Sequence, residues 1–343
     1  MTSPEHVYFK TSPTHKLSCM DGSLEISDCA QLVQVRRNGV VESRHYGAVV
    51  VLGSDGSQLL ALGNPQALIF PRSAIKPFQA LASLRCGADL GAEQLALACA
   101  SHVGSFAHQN LAHQLLDSAG LSASELQCPE AWPADSATRT QMILEHLPKT
   151  RLAFNCSGKH AAFLVAAKAM GARTESYLDP RHPVQEAARG VLEEYCGPIP
   201  FTGVDGCGAP AIQMSLRSLA DGFHQLVTST QREAQKVVRA MLDHPWAVRG
   251  AGQPNTEVIR QAGIIAKLGA EGVLAMAAPN GVTVALKMLD GSSRGTDLLA
   301  LSLLHKFSAI EENEYRNLQE LLQPPAITAG AQAADLQLAE TDF

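Results

Sequence analysis

The N-terminal part of the chain alternates short apolar runs with turn residues. Residues 32–35, 45–51 and 58–62 are strand-like runs, and Ser54-Asp55-Gly56-Ser57 places an Asp-Gly turn between the last two. Short runs separated by such turns are typical of antiparallel strands joined by hairpins. We therefore expect a meander of strands here.

Helical periodicity dominates the middle of the chain, where apolar residues recur at i, i+3 and i+4. The segments with this pattern are 74–85, 107–119, 137–147, 159–170, 183–195, 211–226 and 230–243. Two strand-like runs, 272–277 and 282–288, flank a Pro-Asn-Gly turn, and helices are predicted near 295–307 and 313–322. This order predicts a mixed α/β (α+β) fold, with an antiparallel sheet assembled from both chain ends and helices packed around it.

The two ends of the chain differ from the region between them. Residues 1–30 show no sustained period and are predicted to be a flexible N-terminal arm. Residues 324–343 are rich in Ala, Gln and Thr and are predicted to be a frayed C-terminal tail. No linker interrupts residues 31–323, which we expect to form one domain.

Composition narrows the classes of partner. The net charge of −6 and pI near 6.1 argue against a nucleic-acid or acidic-membrane surface, because both need concentrated Lys and Arg. No window approaches the roughly 18 apolar residues that span a bilayer, and residues 1–20 lack the apolar run of a secretory signal. These features predict a cytoplasmic protein. Its eight widely spaced cysteines are then expected to be thiols or metal ligands rather than disulfides.

The first motif that suggests chemistry is Arg72-Ser73-Ala74-Ile75-Lys76-Pro77. Spacing of three residues on a helical turn puts the Ser73 hydroxyl and the Lys76 amine on one face. A desolvated lysine has a lowered pKa and can take the serine proton, as in Ser–Lys variants of the catalytic triad. The alternative is a helix-capping serine followed by a solvated lysine.

Two further segments carry polar residues beside apolar runs. Ala98-Cys99-Ala100-Ser101-His102 ends an apolar run abruptly, which suits either the lining of a site or the C-terminus of a helix. Lys267 is a lone lysine in the mostly apolar residues 262–277. Most such lysines extend to the surface, so burial of this one would require a functional reason.

Cysteines occur in the last two motifs, Asn155-Cys156-Ser157-Gly158-Lys159-His160 and Asp205-Gly206-Cys207. Thiolate and carboxylate groups suit zinc, and one cysteine from each of two segments is a reasonable ligand pair. The spacing is not C-x-x-C, so no standard zinc ribbon or finger is implied. Small buried cysteines beside glycine-rich turns are the alternative.

These five motifs, in the order in which they occur, resemble those of the Rhizobium etli-type L-asparaginases, also called type II. The motifs are R-S-x-x-K-P, C-A-S-H, N-C-S-G-K-H, D-G-C and K-x-G. The resemblance extends from about residue 40 to residue 306. It implies a fold similar to serine β-lactamases and glutaminases, a homodimer, and a small-molecule substrate, L-asparagine.

The resemblance also implies a role for individual residues. Ser73 corresponds to the nucleophile and Lys76 to its base. Ser101 and Lys267 correspond to a second pair that shuttles protons. The expected ligands of a zinc ion, which need not be essential, are Cys156, Lys159 and Cys207. The expected substrate contacts are Arg72, His102, His160 and Asp205.

The sequence therefore predicts an amidohydrolase that converts L-asparagine to L-aspartate and ammonia. Gln253 replaces an arginine that is usual in the family, and Val103-Gly104-Ser105 replaces a Ser-Gly-Glu sequence, so a different amide substrate stays open. A non-catalytic zinc- or redox-sensing protein on the same scaffold is another alternative. A penicillin-binding enzyme or β-lactamase would need S-D-N and K-T-G after Ser73, and neither is present.

Overall fold

The N-terminal strands follow directly from the apolar pattern. The computed structural model describes residues 23–323 and 334–339, and in it β1 (Ala30–Arg37) turns into β2 (Val40–Leu52). Asn38 and Gly39 join them with φ angles of 49° and 82°, the left-handed values that a tight hairpin requires. β3 (Gln58–Leu62) then pairs with β2.

The C-terminal half supplies the other strands of this sheet. β7 (Ile265–Leu268), β8 (Val273–Ala277) and β9 (Thr283–Met288) form a meander, and β9 pairs antiparallel with β2. With β10 (Ala334–Leu338), the described residues give the order β10-β1-β2-β9-β8-β7, and β3 also lies beside β2. The predicted mixed α/β fold, with an antiparallel sheet from both chain ends, is confirmed.

The predicted arm and tail contribute to this core. Within the arm, a 3₁₀ turn spans Ile26–Asp28 and β1 already begins at Ala30. Within residues 324–343, β10 pairs with the edge of β1 and places Leu336 opposite Val35, where the expectation was a frayed tail. An edge strand offers unpaired backbone groups, and β10 satisfies them. Residues 1–22, 324–333 and 340–343 lie outside the described residues.

Every residue of β8 is buried, which shows that both faces of the sheet are covered at this strand. α7 and α11 pack on β8 and β9, while α1, α2 and α5 pack against one another. None of the helices in the described ranges is long and apolar enough to span a membrane. The helices are α1 (Lys76–Arg85), α2 (Ala92–Ala98), α3 (Phe106–Ser118), α4 (Ser136–Leu144), α5 (Ser157–Ala169), α6 (Pro183–Cys196), α7 (Leu216–Thr228), α8 (Arg232–Asp243), α9 (Pro245–Val248), α10 (Pro254–Ala262), α11 (Thr296–Lys306) and α12 (Glu312–Leu322).

The single helix predicted for residues 211–226 is wrong in its first part. β6 (Pro210–Ser215) pairs there with β4 (Leu68–Ile69) and with β5 (Phe201–Val204) in a second, three-stranded sheet. The helix begins only after Ser215, whose hydroxyl accepts the backbone N–H of Ser218. A short apolar run is compatible with either a helix or a strand, and here pairing with β4 and β5 makes it a strand.

The close approach of β2 and β9 gives a test of the fold. A Cβ at Gly47 would lie 2.1 Å from the backbone oxygen of Lys287. We expect Gly47→Ala to lower the free energy of unfolding by about 3 kcal/mol, because the strands must separate. The matched control is Gly190→Ala, on the exposed face of α6 with no atom within 4 Å of the added methyl group.

The control should raise stability by about 0.5–1 kcal/mol, since alanine is the better helix former. Urea denaturation of the wild type and both variants measures the difference. Equal stability of the two variants would contradict the packing of β2 against β9.

Candidate active site

Ser73 lies in a tight turn that leads into α1. The 3₁₀ turn Arg72–Ile75 begins with a left-handed residue, Arg72 at φ 52°, a conformation that non-glycine residues adopt mainly under constraint. The turn lies close to the end of β7, because a Cβ at Gly269 would be 2.4 Å from the Pro71 oxygen. Side chains three residues apart eclipse in a 3₁₀ turn, so Ser73 and Lys76 share one side.

Ser101 accepts hydrogen bonds from two lysines. The Lys76 amine donates to Ser101 Oγ over 3.1 Å and to the Ala100 oxygen over 2.5 Å. The Lys267 amine donates to the same hydroxyl over 2.8 Å and to the Leu268 oxygen over 2.8 Å. The predicted contact of Ser101 with Lys267 is therefore present. Lys76, predicted to partner Ser73, makes no described hydrogen bond to that hydroxyl and instead contacts Ser101.

Burial determines the protonation of these lysines. Both side chains are 1% exposed, so Lys267 does not extend to the surface. Burial lowers the pKa of both lysines, and the pKa of Lys267 is lowered further because the charge of Arg249, and a proton on Lys76, would each repel a proton on Lys267. A neutral amine has a lone pair for the Ser101 proton. Two such amines on one hydroxyl can pass a proton from one to the other.

The segment that carries Ser101 is fixed by a loop after α9. Ser101 N–H donates to the Val248 oxygen over 3.0 Å, and Val103 N–H donates to the Arg249 oxygen over 2.8 Å. The Arg249 guanidinium returns to donate to the Ser101 oxygen over 2.6 Å. Since α2 ends at Ala98, Ser101 is not a helix cap. Sequence reasoning missed Arg249; the signal available was an arginine directly before a Gly-x-Gly sequence.

A second polar cluster contains the motif cysteines. Cys156 and Lys159 lie at the start of α5, Cys207 lies in the β5–β6 loop, and the Lys159 amine contacts Cys207 Sγ at 3.1 Å. A hydrogen bond from Cys207 holds the pKa of Cys156 well below its ordinary value and raises that of Cys207. Burial acts to lower the Lys159 pKa, but the charges of Cys207 and Cys156 outweigh it and raise it. The two cysteines thus hold negative charge between them, beside the positive charge of Lys159.

Glycine explains how the two clusters come together. A Cβ at Gly158 would lie 2.4 Å from the Leu97 oxygen, so the start of α5 packs directly against the end of α2. Lys76 lies at this junction, where the Cys156 thiolate acts on its pKa. The Gly in N-C-S-G-K-H is therefore required by packing.

Arg72 and Asp205 join the Ser73 turn to the cysteine loop. Their closest atoms, Arg72 Nη2 and Asp205 Oδ1, are 2.6 Å apart. Burial acts to raise the pKa of Asp205, but Lys159 and Arg72 outweigh it and lower the pKa. Both side chains keep some exposure, 29% and 15% respectively, so a ligand can reach them.

The two motif histidines differ in their free hydrogen-bonding capacity. His102 Nδ1 accepts the Gly104 N–H at 3.0 Å and Nε2 contacts Ser157 Oγ at 2.9 Å, which favours a positioning role over substrate contact. His160 Nδ1 contacts the Tyr177 hydroxyl at 2.7 Å, while its buried Nε2 has no partner among the described residues. Burial holds both pKa values well below normal, so both rings are neutral.

Tyr177 is a second residue that the sequence did not reveal. Its hydroxyl accepts the Gln127 N–H at 2.9 Å, which leaves its own proton for His160 Nδ1. His160 Nε2 then carries the ring proton and is a free donor inside the site. No motif or spacing marks Tyr177, because it comes from a loop before α6.

The donors of the second cluster fit zinc by type. Two cysteine sulfurs and a lysine nitrogen form a soft, nitrogen-containing set, although Lys159 must lose its proton to bind a metal. Within residues 23–323 and 334–339, no group of three or more His, Cys, Asp or Glu side chains is arranged to hold a metal ion. A metal site built on Cys156 and Cys207 therefore needs Lys159 as its third protein ligand.

Comparison with known families decides the class of protein. The family model described as L-asparaginase II matches residues 33–337. The chain belongs to the L-asparaginase II family. Membership makes it an amidohydrolase and implies a small-molecule substrate. A search of curated proteins found no match.

Several solved structures are distantly similar to this chain. A β-lactamase from Mycobacterium bovis has 14% sequence identity and a TM-score of 0.42, over 76% of this chain and 95% of the other. The protein Mglu has 14% identity and a TM-score of 0.42, over 77% and 67% of the two chains. A Bacillus glutaminase has 10% identity and a TM-score of 0.36, over 77% and 91%.

The depressed pKa of Lys267 predicts how stability depends on pH. Between its folded-state pKa and its ordinary value, the unfolded chain holds the Lys267 proton and the folded protein does not. Rising pH therefore stabilises the folded state, by up to about 1.4 kcal/mol per pH unit. Lys267→Met removes this contribution.

We expect the stability of the wild type to rise with pH, relative to that of Lys267→Met, as the pH approaches the ordinary lysine pKa of about 10.4 from below. Lys306→Met, at the exposed last residue of α11, is the control for the loss of one lysine. Urea denaturation across this range measures the difference. Parallel curves for the wild type and Lys267→Met would show that Lys267 is not desolvated.

Proposed function

We propose that this protein is an L-asparaginase that hydrolyses L-asparagine to L-aspartate and ammonia through a serine nucleophile and a lysine relay. The observation that carries the proposal is the placement of Ser101 Oγ between the amines of Lys76 and Lys267, at 3.1 and 2.8 Å. Family membership supports amide hydrolysis. Asparagine as the substrate is supported by the sequence motifs.

Ser73 is the nucleophile in this proposal because it is the more accessible serine. Ser73 is half-buried, whereas Ser101 is 2% exposed and its hydroxyl is already shared by two amines. Ser73 Oγ attacks the side-chain amide carbon of asparagine while its proton passes to the neutral Lys76 amine. Lys76 lies one 3₁₀ turn away on the same side.

Ser101 links Lys76 to the second amine. Its hydroxyl can give its proton to Lys267 and take one from Lys76, so the charge moves away from the reacting centre. Return of the proton to the amide nitrogen breaks the C–N bond and releases ammonia. Water then attacks the aspartyl ester, giving one proton to the relay and its hydroxyl to the acyl carbon. The relay returns that proton to Ser73 Oγ as the ester C–O bond breaks, and the carboxylic acid of the product gives its proton to ammonia.

The charged groups beside the relay suit an amino-acid substrate. Arg72 and Asp205 form a partly exposed ion pair next to Ser73, and the Asp205 carboxylate that Arg72 holds suits the α-ammonium group of the substrate. His160 adds a neutral N–H donor, because its Nε2 has no protein partner among the described residues. In this proposal His102 positions the start of α5 through Ser157.

A zinc ion held by Cys156, Lys159 and Cys207 is part of the proposal. When bound, zinc would supply positive charge for anchoring polar groups of the substrate. Assembly as a homodimer and a cytoplasmic location are carried forward from the sequence as further proposals.

Replacement of the nucleophile tests the reaction. We expect Ser73→Ala to lower the rate of ammonia release from L-asparagine by at least about 10³-fold, because no other group forms the ester. Ser118→Ala, on the exposed side of α3, is the control and should match the wild type. The measurement is ammonia production under saturating L-asparagine.

Three outcomes would contradict parts of this proposal. Full activity of Ser73→Ala would remove Ser73 as nucleophile. A folded wild type that releases ammonia from L-glutamine but not L-asparagine would replace the substrate. A wild type that binds zinc and hydrolyses no amide would favour a zinc- or redox-sensing protein, for which the Cys156–Cys207 pair would be the sensor.

Removal of the cysteines tests the metal site. We expect the purified wild type to contain about one zinc per chain and both Cys156→Ser and Cys207→Ser to contain almost none. Cys86→Ser, at the end of α1, is the control and should retain zinc. Elemental analysis gives the content, and equal zinc in all four proteins would exclude this ligand set.

A further inference from the structure

Arg249 is a cation at the relay without a carboxylate partner. Among the described residues, no Asp or Glu oxygen lies within 4 Å of its guanidinium nitrogens. Its hydrogen bond is to the backbone oxygen of Ser101 at 2.6 Å. Most of the side chain is buried, and burial lowers its pKa, so the positive charge is held there at a free-energy cost.

The backbone around Arg249 fixes the position of this charge. Val103 N–H donates to the Arg249 oxygen, and Gly250 follows at φ 138°, where a Cβ would lie 2.6 Å from Val103 Cγ2. Gly250 N–H donates to Thr256 Oγ1 at the start of α10. The loop is thus held from two sides, and Arg249 is pre-positioned against the Ser101 segment.

The charge of Arg249 reaches the reacting groups. It lowers the pKa of Lys267, after burial and Lys76, and that of His102. Asp297 is the carboxyl group that acts on it through space, but Asp297 is held by Asn255 at 2.9 Å and makes no ion pair with it. A guanidinium presents five donors, and Arg249 gives one direction of its fork to Ser101.

Arg249 differs in this respect from Arg72. Arg72 already contacts Asp205 at 2.6 Å, so a substrate carboxylate would have to compete with that partner. Arg249 has donors to spare, a fixed backbone and an unneutralised charge beside the relay. Planar carboxylates are the ligands that such a fork binds best.

We propose that Arg249 binds the α-carboxylate of the amide substrate and thereby sets the substrate class: primary amides that carry a carboxylate a short distance from the amide. The inference rests on the proposed amide hydrolysis and adds a specificity residue to it. Loss of Arg249 should lower kcat/KM more for amides that carry a carboxylate than for amides without one, because only the former make this interaction.

The experiment compares two amides and four proteins. L-asparagine carries the α-carboxylate, and 3-aminopropanamide is the same molecule without it. The proteins are the wild type, Arg249→Gln, Arg249→Lys and the control Arg260→Gln, a half-exposed arginine on the neighbouring helix α10. Steady-state kcat and KM are measured for each pair, and thermal unfolding confirms that each protein is folded.

For L-asparagine, we expect Arg249→Gln to lower kcat/KM by about 100-fold, mainly through KM. For 3-aminopropanamide, the same variant should lose clearly less, at most about 10-fold, because only the support of the Ser101 segment and the effect on Lys267 are removed. Arg249→Lys keeps the charge without the fork and should fall between. If Arg249→Gln does not fold, Arg249→Lys must still show a selective loss on L-asparagine.

Two results would overturn the inference while amide hydrolysis stands. An equal loss on both amides would mean that Arg249 only supports the Ser101 segment. A wild type that hydrolyses both amides equally well would mean that the carboxylate is not recognised. A folded wild type that hydrolyses neither amide would instead overturn the proposed function, and this inference with it.

Discussion

Three buried lysine amines, those of Lys76, Lys159 and Lys267, impose the constraint on which this site depends. Burial favours the neutral amine unless a negative charge lies close by. Lys159 has that charge in the Cys156–Cys207 pair and stays an ammonium, whereas the pKa of Lys267 is held well below its ordinary value by burial, with Lys76 and Arg249 adding to the effect. Lysine therefore takes two chemical roles in two neighbouring clusters. One cluster holds charge, and the other accepts and passes protons.

The fold brings these amines together from separate parts of the chain. α1 presents Lys76, the start of α5 presents Lys159, and β7 presents Lys267 from the edge of the sheet. Close backbone contacts at Gly158 and Gly269 let these elements meet without a side chain between them. The antiparallel sheet built from both chain ends is what holds β7 against the turn of Ser73. Stability and chemistry thus share the same close contacts.

Most residues of the candidate site could be predicted from the sequence, because they lie in short local motifs. The Ser-x-x-Lys spacing, the cysteines of two segments and the lone Lys267 each mark a residue that the structure places in the site region. The motifs could not show which side chains form hydrogen bonds with each other. Lys76 was expected beside Ser73 and is bonded to Ser101, since the packing of α1 on the Ala100–Ser101 backbone is a long-range property. The role of Arg249 and the strand conformation of β6 could not be predicted for the same reason, because their partners lie far away along the chain.

The central claim is that Ser73 forms a covalent ester while the Lys76–Ser101–Lys267 group moves its proton. The most direct measurement is to quench the enzyme in acid during turnover of L-asparagine, digest it, and locate the acyl group by mass spectrometry. The account predicts an aspartyl ester on the peptide that contains Ser73. An ester on the peptide that contains Ser101 would contradict it, because Ser101 would then be the nucleophile and not part of the relay.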